Sequence, residues 1–512
     1  MVKKRIGRLL IALCTIGLIW GGDVWALSTD IGGNTLNVQG YISQTVQFGI
    51  DGDDYDTKEG FNAALTNLFI EGDYSFAGDW SIYAAGMFTM DWAYEVLHDD
   101  DDWKSRHFNE SRSELFMDDE WWQLLKEAHV TWQPGNFMFR VGKQRVAWGA
   151  MDLFAVTNVI NPVDLTHGFA DLELDTLFIP IPLVRAEYAF DAIVGPLADI
   201  GIQFVFNPNV DHIPDAGSAY GNNTAGIWAA DIVFKDPDPA NELRLFNLYD
   251  TIEEPDAFDS EFFEYGLRAY ATLLDNMQVS LMGFYGKQNA PILAFFDPSS
   301  VQTLFGFDDK GRPIIDTLEP GSYADQKFIG ASMAAELPVS IRALGGFRPM
   351  FRLAARYEFD HKYYDGWNLE FFETDLIVAG FNAEYKIKVP WQRNSLFFAV
   401  EGQYNHATDH RPFLMDETQI FRENDYWYNF FALLSSSYMR GKLIPSIEWY
   451  AIYDGDAYIV SPQIVYTINE RWNVKVRGNF FGGTKISNDA IAGHLGLDDK
   501  DNVAFKIQYN WQ

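Results

Sequence analysis

Apolar and polar residues alternate along most of the chain, and the last segment shows this pattern most clearly. Its apolar positions, two residues apart, are Val503, Phe505, Ile507, Tyr509 and Trp511. The positions between them are Ala504, Lys506, Gln508 and Asn510. Side chains on a β-strand point alternately to opposite faces, so this spacing predicts a strand with one apolar and one polar face.

The same alternation returns in residues 36–48, 377–387, 396–404 and 472–480. A soluble β-sandwich also alternates, because its inner faces are apolar and its outer faces polar. Length separates the two classes of protein. Several segments run for about 11 to 14 residues, which suits tilted membrane strands and exceeds the usual five or six of a globular sheet. The pattern therefore predicts an all-β fold, a transmembrane antiparallel up-and-down β-barrel.

Short and long connections alternate between these segments. Tight turns are predicted at residues 77–79, 134–136, 194–196, 274–276, 440–442 and 468–471. Long polar stretches lie at residues 93–121, 148–182, 288–325, 361–375, 407–426 and 483–500. Short periplasmic turns and long extracellular loops are typical of outer-membrane barrels. An even strand number is required, and including residues 243–249 as a strand gives about 20, with 18 as the alternative.

The N-terminus predicts export. Basic residues Lys3, Lys4, Arg5 and Arg8 precede an apolar run over residues 9–20, and the small residue Ala26 suits cleavage. We therefore expect a cleaved signal peptide at residues 1–26 and a single barrel domain at residues 27–512, in the outer membrane of a Gram-negative bacterium. An uncleaved N-terminal anchor is the alternative.

Composition supports this prediction. Aromatic residues make up 16% of the chain, which the aromatic girdles of a membrane barrel would explain, as would a large all-β core. The one cysteine, Cys14, lies in the predicted signal peptide. Loss of that peptide would exclude disulfides, thiol catalysis and thiolate metal sites.

Charge is unevenly distributed. The formal net charge is −34, and acidic clusters such as residues 99–102 and 118–120 fall in predicted loops. Basic residues occupy strand faces opposite the apolar rows: Arg140, Arg185, Arg268, Arg352, Arg356, Lys386, Lys388, Lys475, Arg477 and Lys506. Acidic residues share that face: Glu127, Glu187, Glu264, Glu358, Glu384, Glu401 and Glu448. Isolated buried ions are too unfavourable for a dry core, so the barrel interior must hold water, a plug or an ion-pair network.

A water-filled passage lined by these residues is the simplest outcome for a barrel of this width. Salt bridges that only brace the wall are the alternative for each residue. Rows of Arg and Lys select anions in other pores, so anionic solutes are one candidate class. The long stretch over residues 148–182 is partly apolar, which argues against disorder, and it could fold inward as a constriction loop or cap the barrel mouth. Its candidate residues are Trp148, Asn161, Pro162 and Asp164.

The chain shows no HExxH, Gly-x-Ser-x-Gly or P-loop motif. We therefore predict no catalytic residues, no metal site, no cofactor and no enzymatic activity. A barrel enzyme of lipase or protease type and a scaffold for a partner protein remain the alternatives. Expected partners are outer-membrane lipid, lipopolysaccharide bridged to acidic loops by divalent cations, the barrel-assembly machinery, and a hydrophilic small-molecule or polymer solute. Nucleic acid is not expected.

Four short motifs carry a family resemblance: VGKQ at residues 141–144, WG at 148–149, NPVD at 161–164 and EYGLR at 264–268. With these motifs the chain resembles proteobacterial porin-like outer-membrane proteins. It is similar to the long-barrel group related to alginate-export porins, many of which carry only a domain-of-unknown-function label. The resemblance runs from about residue 136 to the end. It implies a passive or substrate-selective pore.

Overall fold

The computed structural model describes most of the predicted strands. The described ranges are 27–50, 60–92, 125–151, 153–162, 178–210, 233–234, 243–246, 256–274, 276–289, 292, 304–307, 313–316, 323–337, 346–365, 368, 370–389, 394–411, 414–415, 421–422, 424–452, 457–483 and 501–511. The predicted signal peptide, Asp164 and the acidic clusters at 99–102 and 118–120 lie outside these ranges. The division into signal peptide and barrel domain stays a prediction.

Eighteen strands form the barrel wall. In chain order they are β1 (Asn34–Gly49), β2 (Gly60–Phe76), β3 (Trp80–Asp91), β4 (Leu125–Trp132), β5 (Phe137–Gln144), β6 (Ile181–Ala189), β7 (Leu197–Asn207), β8 (Glu264–Leu273), β9 (Met277–Lys287), β10 (Asp325–Glu336), β11 (Met350–Asp365), β12 (Glu370–Lys388), β13 (Ser395–Ala407), β14 (Tyr426–Ser436), β15 (Leu443–Ile452), β16 (Ala457–Thr467), β17 (Trp472–Gly483) and β18 (Asn502–Trp511). Each strand pairs antiparallel with the next.

The last strand closes the barrel. β18 pairs with β1, from Asn502 opposite Gly49 to Trp511 opposite Gly40. A short strand, Leu27–Ile31, pairs with the part of β1 that β18 does not reach. The predicted antiparallel up-and-down barrel is therefore confirmed.

The count of 20 strands is wrong, and the alternative of 18 is right. Leu243–Phe246, inside the segment predicted as an extra wall strand, pairs instead with Val233–Phe234 and, in parallel, with Pro313–Asp316 in a separate four-stranded sheet. β7 pairs directly with β8, starting from Asn207 opposite Glu264. A further wall strand therefore has no place between them.

Connections differ at the two barrel ends. At one end, called the turn end, β2 joins β3 through residues 77–79 and β8 joins β9 through residues 274–276. At the other, called the loop end, most connections are long. The predicted loop at residues 361–375 is an exception, because β11 and β12 continue their pairing as far as Asp365 opposite Glu370.

The wall is apolar outside and polar inside. Leu281 and Ile329 on the outer face are 67% and 58% exposed. Ser43, Thr45 and Gln47 of β1 point inward and are buried. On β18, Phe505 and Ile507 are exposed outward, whereas Lys506 is buried inside. Lipid is the solvent that makes such an outer face favourable. No membrane-spanning helix is found in the described part of the chain.

Candidate functional site

Residues 145–162, called the inner segment, follow β5 and lie inside the barrel; residue 152 is outside the described ranges. Trp148 and Val156 are completely buried. Trp148 packs in a cluster with wall residues such as Val205 and Phe328, and Val156 packs in a second cluster with Val378. The inner segment therefore fills part of the lumen by apolar packing against the wall.

Asn161 holds the two ends of the inner segment together. Its side-chain oxygen accepts a hydrogen bond from the Val146 amide at 2.7 Å. Its amide group donates to the carbonyl oxygens of Ile179 at 2.9 Å and Gln144 at 3.3 Å. Pro162 accepts from the Ile179 amide at 2.8 Å. The place where these two ends meet is called the neck. Its buried backbone groups need both a donor and an acceptor, and an asparagine side chain offers both.

Trp148 joins two of the sequence motifs. Its indole N–H donates to Gln203 Oε1 of β7 at 2.5 Å. Its ring lies against Gly266 of β8, where a Cβ atom would overlap the indole and approach Val205 Cγ2 to 2.6 Å. The tryptophan of the WG motif thus occupies space left by the glycine of the EYGLR motif.

A second glycine accepts the far part of the inner segment. A Cβ atom on Gly380 of β12 would lie 2.6 Å from Val156 Cγ2 and 3.1 Å from Met151 Cε. Because such distances are shorter than van der Waals contact, the segment can approach this wall closely only at a glycine.

Two charged side chains hold the inner segment against the wall opposite β5. Glu401 of β13 accepts hydrogen bonds from the backbone amides of Leu153 at 2.9 Å and Phe154 at 2.5 Å. Arg356 of β11 donates to the carbonyl oxygens of Ala155 at 3.2 Å and Val156 at 3.1 Å. The segment therefore crosses the lumen and is fixed at both sides.

Arg356 is itself held by a buried polar group. Its Nε lies 3.1 Å from Glu358 Oε2, and Glu358 Oε1 lies 2.6 Å from His361 Nδ1. All three side chains are buried. Buried charges are tolerated when they are paired in this way.

A cavity of about 950 Å³, called the passage, lies between the inner segment and the wall. Its charged lining residues are Glu127, Arg145, Arg185, Glu384, Glu401, Glu448, Lys475 and Arg477. Four are acidic and four are basic, so the charges of the passage have no dominant sign along its whole lining.

Most of these charges are paired. Arg185 contacts Glu187 at 2.7 Å, and Arg477 contacts Glu448 at 2.9 Å. Arg145 lies 3.5 Å from Glu127. A further ion pair joins Arg352 and Glu384 on neighbouring strands. The polar inner wall is thus a network of ion pairs beside an open cavity, which combines two of the outcomes expected for a charged interior.

One part of the network carries excess positive charge. Arg140 of β5 stands directly opposite Arg185 of β6. The hydroxyl of Tyr270 donates to Glu187 at 2.6 Å, and the Arg268 guanidinium lies 5.5 Å from the Tyr270 ring centroid. Three guanidinium groups, those of Arg140, Arg185 and Arg268, therefore lie near Glu187, and Arg140 is also near Glu127, the partner of Arg145. The three arginines near Glu187, together with Glu187, are called the arginine cluster.

The predicted site residues thus fall into separate groups. Arg185, Glu384, Glu401, Lys475 and Arg477 line the passage. Arg356 and Trp148 hold the inner segment. Lys386 and Lys388 share the inward face near the turn end of β12 and are exposed, but they do not line the passage.

Glu264 lies apart from the passage at the loop end. It is buried, and it accepts from Asn207 at 2.8 Å and from the Lys287 amide at 3.1 Å. Asp164 lies outside the described residues.

Several residues of the site escaped the sequence prediction. They are Arg145, Gln203, Leu153, Phe397, Phe431 and Leu433. Strand alternation could have identified the phenylalanines, because Phe397 shares the inward face with Glu401, and Phe431 stands opposite Glu401 on β14. Nothing in the local pattern marks Arg145 or Leu153, which lie outside strands.

The fold is similar to those of solved outer-membrane proteins. OpdK of Pseudomonas aeruginosa, solved with vanillate, has 8% identity and a TM-score of 0.45, covering 93% of this chain and 98% of that chain. OccAB2 of Acinetobacter baumannii has 10% identity and a TM-score of 0.44, covering 94% and 98%. OmpF of Salmonella typhi, in complex with daunomycin, has 9% identity and a TM-score of 0.38, covering 95% and 100%. At such low identity the likeness does not extend to what these proteins bind.

No curated protein matches the chain. One family does, and its match covers residues 10–511, including all four motifs that carry the resemblance. The chain therefore belongs to the family described as protein of unknown function DUF1302.

Proposed function

We propose that this protein is a passive outer-membrane channel for hydrophilic solutes. One observation carries the proposal: a cavity of about 950 Å³ with eight charged lining residues lies inside a closed barrel whose outer face is apolar. A water-filled interior inside an apolar outer face suits the diffusion of hydrophilic solutes across a membrane. The ion pairs of the lumen supply no energy source, so movement follows the concentration gradient.

The inner segment is the constriction of this channel. Leu153, Asn158 and Asn161 face the passage from the segment side. Trp148 anchors the segment to β7 and β8, and Asn161 with Pro162 closes its neck. Because the segment is fixed at both sides of the lumen, it sets a permanent width rather than acting as a loose cap.

Anions are preferred over cations in this proposal. The arginine cluster places three guanidinium groups near Glu187, Glu127 near Arg140 is already paired with Arg145, and Arg185 of the cluster faces the passage. The acids that line the passage are each engaged by a basic side chain or, for Glu401, by backbone amides. Charged rings of one sign select ions of the other sign.

The test is conductance in a planar lipid bilayer. Folded protein should give stepwise current in potassium chloride, and a salt gradient should give a reversal potential that shows chloride preference.

Replacing both Arg140 and Arg185 by glutamine should move the preference toward potassium. Arg348→Gln is the matched control, because Arg348 is an exposed arginine in the connection before β11, paired with Glu336 near the turn end and away from the passage. Absence of current from heat-modifiable, folded protein would contradict the channel, and cation preference would contradict the role of the cluster.

A further inference from the structure

The passage has an apolar wall. Phe397 of β13 and Leu433 of β14 point into it and are only half-buried. Ala399, two residues along from Phe397 on the same face, stands opposite Leu433. Inward positions of a water-filled barrel are ordinarily polar, so apolar side chains at this depth need an explanation.

Packing of the inner segment does not explain these residues. Phe431 and Leu153 lie against the buried cluster around Val156, so their position follows from packing. Phe397 and Leu433 belong to neither buried cluster of the described residues. Their exposed carbon surface faces the cavity. Covering such surface is favourable by about 25 cal/mol per Å².

The guanidinium group of Arg185 lies on the other side of the barrel. Arg185 is on β6, and the apolar residues are on β13 and β14. In a closed ring of 18 strands, β6 is seven and eight positions away from these two, which is close to the opposite wall. A solute that spans the passage therefore meets the Arg185 guanidinium on one side and the carbon surface of Phe397 and Leu433 on the other.

We propose that the passage holds a binding site for amphipathic organic anions, with the carboxylate at Arg185 and an apolar body against Phe397 and Leu433. This inference rests on the proposed channel function and adds the substrate class to it. A volume of about 950 Å³ is far larger than an inorganic ion needs and lies within the usual range for organic ligands. Guanidinium recognises carboxylate by charge-assisted hydrogen bonds, and the apolar wall distinguishes an alkyl or aryl body from a hydroxylated one.

The experiment compares two six-carbon monocarboxylates, hexanoate and gluconate, which share charge and carbon number but differ in hydroxylation. Each is added to bilayers that carry single channels in potassium chloride, and the concentration that halves the current is measured. Hexanoate should act at a lower concentration than gluconate. A protein-free bilayer with the same hexanoate gives the lipid baseline.

The double variant F397S/L433S tests the apolar wall. It should raise the half-blocking concentration of hexanoate by about tenfold, because an apolar contact worth roughly 1.4 kcal/mol is lost, and should leave that of gluconate unchanged. Phe397→Leu, which keeps the carbon surface, should retain the preference for hexanoate. Heat-modifiable migration and potassium chloride conductance show that each variant is folded.

The outcomes separate the two proposals. Missing conductance in the folded wild-type protein would refute the channel itself. Normal conductance with equal half-blocking concentrations for hexanoate and gluconate would overturn the amphipathic site alone. So would a hexanoate preference that persists in F397S/L433S.

Discussion

Single residues decide how firmly the inner segment is held. Glu401 is buried, and one of its oxygens accepts from two amides of the segment while the other accepts from Asn382 Nδ2 at 2.9 Å. Each acceptor has a donor directed at it, so no neutral side chain of the same shape satisfies all of them. The position is thus sensitive to a change of one atom.

Glu401→Gln should loosen the segment. The new amide N–H₂ faces either the segment amides or Asn382, so a donor meets a donor, and the lost interaction is worth about 1–3 kcal/mol. We expect larger open-channel current fluctuations in single-channel recordings. Glu448→Gln is the control, because it removes one negative charge from the same passage without touching a segment amide. It should shift the anion preference as much as Glu401→Gln does, and it should leave the current fluctuations unchanged. Equal current fluctuations in both variants would show that Glu401 does not hold the inner segment in place.

Gly266→Ala should destabilise the fold. The added methyl group would overlap the Trp148 ring, and overpacking of this kind lowers the free energy of unfolding by about 1–3 kcal/mol. The measurement is urea unfolding in detergent. Gly283→Ala is the control, because the nearest atom to its Cβ would be the Phe328 carbonyl oxygen at 3.8 Å, an ordinary contact. If both variants lose the same free energy of unfolding, the packing of Trp148 does not require a glycine at position 266.

At the scale of the element, the inner segment crosses the lumen and returns, so that its two ends lie close together. The Trp148 amide donates to Asn158 Oδ1 at 3.0 Å, and the Thr157 hydroxyl donates to the Trp148 carbonyl at 3.2 Å. The stretch between them therefore forms a closed lobe. The pairing of the wall strands does not pass through it.

Deletion of residues 150–157 should widen the passage. Gly149 would join Asn158, the neck at Asn161 would remain, and the barrel strands would keep their pairing. The expected result is a larger mean single-channel conductance with weaker anion selectivity, read from bilayer recordings. This differs from Glu401→Gln, which raises fluctuations without removing the segment. An unchanged conductance would show that the constriction lies elsewhere.

For the whole molecule, closure of the ring is the condition for stability in lipid, because an open strand edge leaves backbone groups unpaired. β18 supplies that closure through its pairing with both β17 and β1. The strand Leu27–Ile31 pairs with β1 alone and lies outside the ring of 18.

Two truncations separate these contributions during refolding from denaturant into detergent. Removal of residues 502–511 should abolish the heat-modifiable band, because β1 and β17 lose their shared partner. Removal of residues 27–31 should leave that band, because the ring stays complete. A folded band from the first truncation would contradict the closure assigned to β18.

Much of the fold follows from the sequence alone. The period-two pattern at Val503, Phe505 and Ile507 sets which face of β18 meets lipid, since side chains on a strand alternate and only one face can be apolar. Glycine-containing turns fix most of the tight connections in the same way. The strand number does not follow, because residues 243–246 form strand pairs whose partners are distant in sequence. Alternation shows that a segment is a strand, but it does not show which sheet the strand joins.

The sequence by itself therefore determined the barrel, its lipid face and which charged residues point inward, because all three depend on local alternation. Only the tertiary structure decided that Arg356 and Glu401 hold a crossing segment, that Arg185 lines the passage, and that Phe397 faces the same cavity. These contacts join residues up to 248 positions apart. Their partners are set by ring closure and by the path of the inner segment, which no local period encodes.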